Sequence, residues 1–294
     1  MKTFPIIEQH FHGAYGVDFN KATCDEIVSL AKILQQNGIN AFFPTLVTDS
    51  FENINKQIGE IKKASKKTSS ILGIHLEAVF LNPLKKGIHN AELFLDLTVE
   101  NFKKIEDDFI KIVTLAPELD KGLIEYLRLC KIKVQAGHCV GFGNVDGVTH
   151  TFNAMSGISH KESSTALSAL INDEIYTEVI ADGVHVNDDA LKLLLKVKPE
   201  NKIILVSDSL PITYSNQKKA VFAGSEIFYD GKKATSNTGT LAGSTKLLPE
   251  IIKRLCEKGL FKPQYIENVY QYHSIEPRGE IEWDEKFEII KTSF

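Results

Sequence analysis

The stretch IIEQHFHG, residues 6–13, sets a short apolar run before a His-x-His pair and a glycine. In an extended strand, residues two apart point the same way, so His10 and His12 share a face. Five further stretches follow the same plan. ILGIHLEAVF (71–80) carries His75 and Glu77 two apart, KVQAGHCV (133–140) reaches His138, and GVTHTFNAM (147–155) carries His150. VIADGVHV (179–186) reaches His185 and IILVSDS (203–209) reaches Asp208. A barrel of parallel strands aims its strand ends at one mouth. Residues far apart in sequence then converge there, and this set has the donors of a hydrolytic metal site.

The surrounding pattern supports a (β/α)8 TIM barrel of the α/β class. Candidate strands at 4–12, 40–47, 71–80, 109–116, 132–139, 146–153, 176–184 and 202–208 number eight, as a closed barrel requires. Amphipathic stretches separate them, such as TCDEIVSLAKILQQNG with Thr23 as cap and Gly38 as stop. This alternation implies parallel strands joined by right-handed crossovers. Between His138 and His150 only CVGFGNVDGVT intervenes, too little for a full helix and its turns. Past the eighth strand, 220–235 alternates like a hairpin turning at Tyr229-Asp230-Gly231, and a helix is expected to begin at or near Ser244. No repeat, linker or change of composition divides the 294 residues, so 1–294 reads as a single barrel domain.

Composition narrows the function classes. The 34 basic and 38 acidic side chains leave a net charge of −4, with no nucleic-acid surface. KKASKK (62–67) reads as a solvated helix end. No apolar run approaches the roughly 18–20 residues that span a bilayer, and no signal-peptide core precedes the first strand. The four cysteines show no paired spacing, which points to a reducing, cytoplasmic setting. Cys139 adjoins His138, but strand alternation turns it to the opposite face, as a core thiol.

Each metal-type residue has a bland reading on its own. His10 and His12 would bond to backbone, and Glu77 would pair with a lysine. Six such positions on six strand ends point instead to one site. Imidazoles with one carboxylate suit a divalent cation, zinc first and iron second, as one ion or two. Asp208 is the candidate general base and then general acid. His273 and Trp283, in the tail, read as packing.

These residues also carry a resemblance. GIHLEAVFLNPLKKGIHN, VTLAPE, AGHCV, THTFNAMSGISHKE, ADGVHV, LVSDS and GTLAGS, in that order from about residue 6 to 250, resemble N-acetylglucosamine-6-phosphate deacetylases of the amidohydrolase superfamily. The resemblance implies a TIM barrel that hydrolyses the acetamide of N-acetylglucosamine 6-phosphate, a small-molecule partner. It implies Glu77, His138 and His150 as metal ligands, with His10 and His12 matching the pair found in two-metal members. Asp208 matches the catalytic acid/base. Ile88 and His89 match a substrate-binding pair whose imidazole helps polarise the carbonyl. Asn153, Ala154, Asp182, His185, Leu241, Ala242 and Gly243 match further substrate contacts. His75 is left with no assigned task.

The chain departs from that pattern in four places. Nine residues precede His10, which implies a form with little or no accessory β-sandwich. HLEAVF stands where HLEGPF is usual, and the tail lacks the usual NPAR-like segment. Lys161 aligns with a phosphate-clamping Arg, keeping the charge without the planar fork. In family dimers that residue reaches the neighbouring subunit's site, so a homodimer is implied. Two other readings stay open: an amidohydrolase on a different N-acyl amino sugar, and a non-catalytic sugar-phosphate-binding relative.

Overall fold

In the computed structural model, which describes residues 1–293, the eight expected strands all form and lie side by side in chain order. They are β1 (Ile6–Phe11), β2 (Ile39–Val47), β3 (Ile74–Glu77), β4 (Ile110–Leu115), β5 (Lys133–Ala136), β6 (Gly147–Val148), β7 (Tyr176–Val179) and β8 (Ile203–Leu205). All seven pairings between neighbours are parallel. The first and last strands meet just beyond their ends. The Asp208 N–H donates to the His10 carbonyl at 2.9 Å, and the His12 N–H donates to the Ser209 carbonyl at 2.8 Å. The sheet therefore curls shut at the rim that carries the histidines.

Local sequence explains the helices. Thr23 caps α1 (Cys24–Gln36) in a reciprocal capping box with Glu26, and Ser50 caps α2 (Phe51–Ser65). The remaining helices are α3 (Val99–Phe102), α4 (Leu123–Leu129), α5 (Thr165–Ile171), α6 (Asp188–Val197), α7 (Leu248–Glu257) and α8 (Gln264–His273). No helix forms between β5 and β6 among the described residues, as the short connection implied. None is long and apolar enough to cross a membrane. Apolar residues such as Ile27, Leu30, Leu34, Phe42, Leu46, Ile54 and Ile58 fill the layer between helices and sheet. The interior of the barrel is different: Gln9, His10, His75, Thr114, Gln135, Thr149 and Glu178 are all buried and polar.

One expectation is extended and another corrected. The 220–235 region is a three-stranded antiparallel meander, β9 (Lys219–Phe222), β10 (Ser225–Tyr229) and β11 (Ala234–Ser236); the expected turn at Tyr229-Asp230-Gly231 joins β10 to β11, and β9 is the added strand. Its first turn, Ala223-Gly224, has positive φ at both residues (50° and 80°). That turn lacks the usual Asn-Gly or Asp-Gly signal and so escapes a sequence reading. The helix expected from Ser244 begins at Leu248 instead. Ser244 is held in extended backbone against β8's outgoing loop, donating its N–H to Asp208 and accepting from Leu210. Pro249 is then tolerated in the helix's first turn, where its missing N–H costs nothing.

Both ends of the described chain meet in one small antiparallel sheet, Lys2–Thr3 with β12 (Glu280–Trp283) and β13 (Ile289–Ser293). Trp283 is buried there, its indole N–H donating to Thr3 Oγ1 at 2.9 Å, so the packing reading of this tryptophan holds. Replacing Trp283 by Ala should cost roughly 3–5 kcal/mol. Urea unfolding measures this; a loss below about 1 kcal/mol would show that the two ends are not cooperatively packed.

Candidate active site

Three of the strand-end residues leave their strands through left-handed backbone: His138 at φ 47°, His150 at φ 29° and Asp208 at φ 53°. A non-glycine residue there is strained by about 1–3 kcal/mol and persists only where its surroundings enforce it. The turn ends the strand early, which is why β5, β6 and β8 are shorter than the apolar runs suggest. It also swings each side chain over the mouth.

Glu77, from the end of β3, is the centre of the result. Its Oε1 lies 2.9 Å from His150 Nε2 and 3.2 Å from His138 Nε2. Its Oε2 lies 3.4 Å from both His10 Nε2 and His12 Nε2. Asp208 Oδ1 is 2.9 Å from His12 Nε2 and 3.6 Å from His10 Nε2. One carboxylate thus faces a pair of imidazoles with each oxygen, and the groups Glu77–His138–His150 and His10–His12–Glu77 both have the spacing of a cation site.

The proton positions test whether a cation fits. His138 Nδ1 lies 2.8 Å from the Lys85 carbonyl and His12 Nδ1 lies 3.2 Å from the Thr45 carbonyl. A carbonyl only accepts, so each Nδ1 carries a proton, which leaves each Nε2 for a second proton or a metal. The Nε2 atoms face carboxylate oxygens, and His138 Nε2 lies 3.3 Å from His150 Nε2. Nitrogens and anionic oxygens packed this closely need positive charge between them: protons on His10 and His12, whose pKa values burial would lower but the carboxylates raise, or a bound cation in their place. The donor set fits a divalent metal.

A cavity of about 440 Å³ opens above this cluster, lined by His12, Glu77, His138, His150 and Asp208. Ile88, His89, Asn153, Ala154, His185, Leu241, Ala242 and Gly243 also line it, as expected. Thr48, which sequence reading missed, sets the state of His89. Its hydroxyl oxygen accepts the Val79 N–H at 3.1 Å and lies 2.9 Å from His89 Nδ1. With the hydroxyl hydrogen donated to Nδ1, His89 Nε2 carries its hydrogen toward the cavity. Burial, with the charge of His138 next, pushes the His89 pKa down to about 3, so the ring is a neutral donor. Burial would raise the Asp208 carboxyl, but the hydrogen bond from His12 and the charges of His10 and His12 hold it at about 2. Asp208 is therefore ionised at neutral pH, the state a base requires.

Two residues matched to substrate contacts do not line this chain's cavity. Lys161 is exposed on a loop, where the resemblance expects it to face a neighbouring subunit; Lys85 and Lys86 are the cations at the cavity. Asp182 bonds to N–H groups of its own loop. Cys139 is a buried thiol hydrogen-bonded to Thr165, away from the metal-type cluster, and burial pushes its pKa to about 12. Glu178 and Glu8 are buried carboxylates that went unnoticed, although Glu in IIEQ and YTEVI is as costly to bury as Glu77.

No protein-family model matches the chain. N-acetylglucosamine-6-phosphate deacetylase of Bacillus subtilis is 32% identical over 272 residues, which cover 86% of this chain and 69% of that protein. N-acetylgalactosamine-6-phosphate deacetylase of Escherichia coli O157:H7 is 27% identical over 268 residues, 85% of this chain and 71% of that protein. The crystal structure of N-acetylglucosamine-6-phosphate deacetylase from Thermotoga maritima superposes with a TM-score of 0.92 at 22% identity, over 99% of this chain and 86% of that one.

Asp182 and His185 brace the cavity wall. Asp182 Oδ1 accepts the N–H groups of Val184 and His185, both at 2.8 Å, while Oδ2 accepts His185 Nδ1 at 2.8 Å and the Ser244 hydroxyl at 3.0 Å. His185 Nε2 reaches the Ala242 carbonyl at 2.7 Å, so an imidazolium ties two loops together. Burial opposes both charges, but the hydrogen bond between them lowers the Asp182 pKa and raises that of His185. The acid's contribution is present above its ordinary value and lost as pH falls through the lowered one. The imidazole's is full below about pH 6.5 and lost as pH rises through the raised one. Asp182→Asn should cost roughly 3 kcal/mol, most between about pH 4 and 6.5, with the difference shrinking on either side. Urea titrations across pH measure this; a pH-independent difference would refute the ion pair.

Proposed function

The chain belongs to the N-acetylglucosamine-6-phosphate deacetylase family, and on that premise we propose that it hydrolyses the acetamide of N-acetylglucosamine 6-phosphate to glucosamine 6-phosphate and acetate. The observation that carries the reading is Glu77, whose two oxygens each face two imidazole Nε2 atoms, with the Asp208 carboxylate beside them. Residues 1–294 are read as one catalytic barrel domain. Glu77, His138 and His150 would hold one divalent cation, and His10, His12 and Glu77 a second; zinc is the metal we assign, with iron the alternative. When bound, the metal supplies Lewis-acid polarisation of the carbonyl and acidifies the attacking water.

The chain's own groups do the rest. Asp208 takes a proton from the water as its oxygen bonds to the acetamide carbon. The His89 Nε2 hydrogen donates to the carbonyl oxygen, where negative charge develops. As the carbon–nitrogen bond breaks, Asp208 returns the proton to the sugar nitrogen, leaving a free amine and acetic acid, which ionises to acetate as its proton passes to solvent. Ile88, Asn153, Ala154 and the 241–243 strap surround the sugar, and His185 braces that strap. The setting is read as cytoplasmic, and Lys161 as the group that reaches a second copy's site in a homodimer, which its exposed loop permits.

Acetate release from N-acetylglucosamine 6-phosphate tests the assignment. Asp208→Asn should lower turnover by about 10²–10⁴-fold with metal content unchanged. Turnover surviving the substitution would remove Asp208 from the mechanism.

The second reading, another N-acyl amino sugar, is motivated by Lys161 in place of an Arg fork and by the named activity of the Escherichia coli relative. Comparing kcat/KM for the phosphorylated sugar, its 4-epimer and the unphosphorylated sugar separates these. We expect the phosphorylated glucosamine derivative to be preferred. Equal efficiency on the free sugar would eliminate the phosphate from recognition.

A further inference from the structure

One set of side chains that this reaction leaves unused forms a continuous line from the barrel floor to the metal-type cluster. On α8, the partly buried His273 stacks on Phe43 with ring centroids 4.4 Å apart. Its Nε2 lies 3.1 Å from Oε1 of Gln9. The Gln9 amide nitrogen donates to Glu178 Oε1 at 2.5 Å, and Glu178 Oε2 lies 2.9 Å from His10 Nδ1. Gln9, His10 and Glu178 are fully buried.

Donor and acceptor identities leave one consistent arrangement. A carboxylate only accepts, so the Gln9 nitrogen faces Glu178 and the Gln9 oxygen must accept from His273. By the same argument His10 carries its proton on Nδ1. Its Nε2, buried and without a hydrogen-bond partner in the protein, is then the atom left beside Glu77 Oε2 and Asp208 Oδ1 for a metal to take. His75 lies beneath, its ring centroid 4.6 Å from that of His10. Both His75 nitrogens are taken, one by the Gln9 carbonyl at 3.0 Å and one by Thr114 Oγ1 at 2.7 Å. It packs under His10 without competing for its proton.

We propose that Glu178 is a positioning residue that locks the Nδ1–H form of His10, and that Gln9 and His273 orient Glu178 from the barrel floor. Through this line the protein sets chiefly the affinity of the His10–His12–Glu77 cation position; Glu178 Oε2 also accepts the His150 backbone N–H at 3.3 Å, but it does not touch the imidazoles of the Glu77–His138–His150 position. The inference rests on the two-position reading of the cluster given above. A carboxylate behind a ligating imidazole fixes its tautomer and raises its basicity, and losing such a partner typically weakens metal binding by about 10–100-fold.

The test is zinc stoichiometry and affinity, by elemental analysis and chelator competition, on wild type and Glu178→Gln, which keeps the side chain's shape and removes its charge. We expect two equivalents in wild type, and in the variant one equivalent held as before with the other weakened about 10–100-fold. The retained equivalent also reports that the variant is folded. Two equivalents bound with wild-type affinity would overturn the proposal.

A second measurement stands if the variant fails to fold or if wild type binds only one ion. In wild-type protein carrying ¹⁵N-labelled histidine, the His10 ring, identified by its absence in His10→Asn, should show a proton on Nδ1 with and without zinc. A ring protonated on Nε2 alone would overturn the role of Glu178 whatever the stoichiometry. A single equivalent with an Nδ1 proton would refute the two-position reading alone.

Discussion

Glu77 is a carboxylate buried on every side, 2% exposed, at the bottom of a cavity. Burial drives its carboxyl toward the neutral form, yet His10, with His12 and His138, holds it well below the usual range. A buried anion of this kind persists only when positive charge is close by. Four imidazole nitrogens within 3.4 Å supply the coordination, and the strands that carry them must end at the same height. The register of β1, β3, β5 and β6 is therefore tied to one carboxylate.

That requirement explains features that otherwise look wasteful. The rim carries strained, left-handed backbone at His138, His150 and Asp208, where an ordinary strand end would be more stable. The barrel also closes there, since the backbone bonds joining β1 to β8's outgoing loop involve His10, His12, Asp208 and Ser209 themselves. The closure and the site are the same set of residues. Below them, the barrel axis holds a polar network where apolar side chains would pack with less risk. Fully satisfied, such a network specifies one arrangement of its members. The chain accepts strain and buried polarity at the mouth, and the apolar layer between helices and sheet offsets them.

Much of this was legible in one dimension. Strand alternation put His10 beside His12, and the expense of burying a carboxylate marked Glu77. Cavity-lining roles for His89, Asn153, Ala154 and the 241–243 strap came from the family resemblance rather than from periodicity. The same burial argument applies to Glu178, which sits in an apolar run with no neighbouring histidine, and to Glu8, which shares its strand with His10 and His12. Asp182 matches a substrate contact only through the resemblance; its four acceptor bonds, which brace the loop, come into view only in three dimensions.

Local chemistry, read along the chain, is enough for what depends on near neighbours: the eight strands, the caps at Thr23 and Ser50, the missing helix between β5 and β6, and the residues able to bind metal or move protons. It is not enough for relations across the barrel, because these depend on which atoms meet after the sheet has curled. Which nitrogen His10 turns to Glu77 is decided by Glu178, 168 residues away. Which hydrogen His89 offers is decided by Thr48, 41 residues away. Where α7 starts is decided by Ser244's bonds to the Asp208 loop. Hydrogen bonds and ionic contacts act over a few ångströms, so only folding brings these partners within reach.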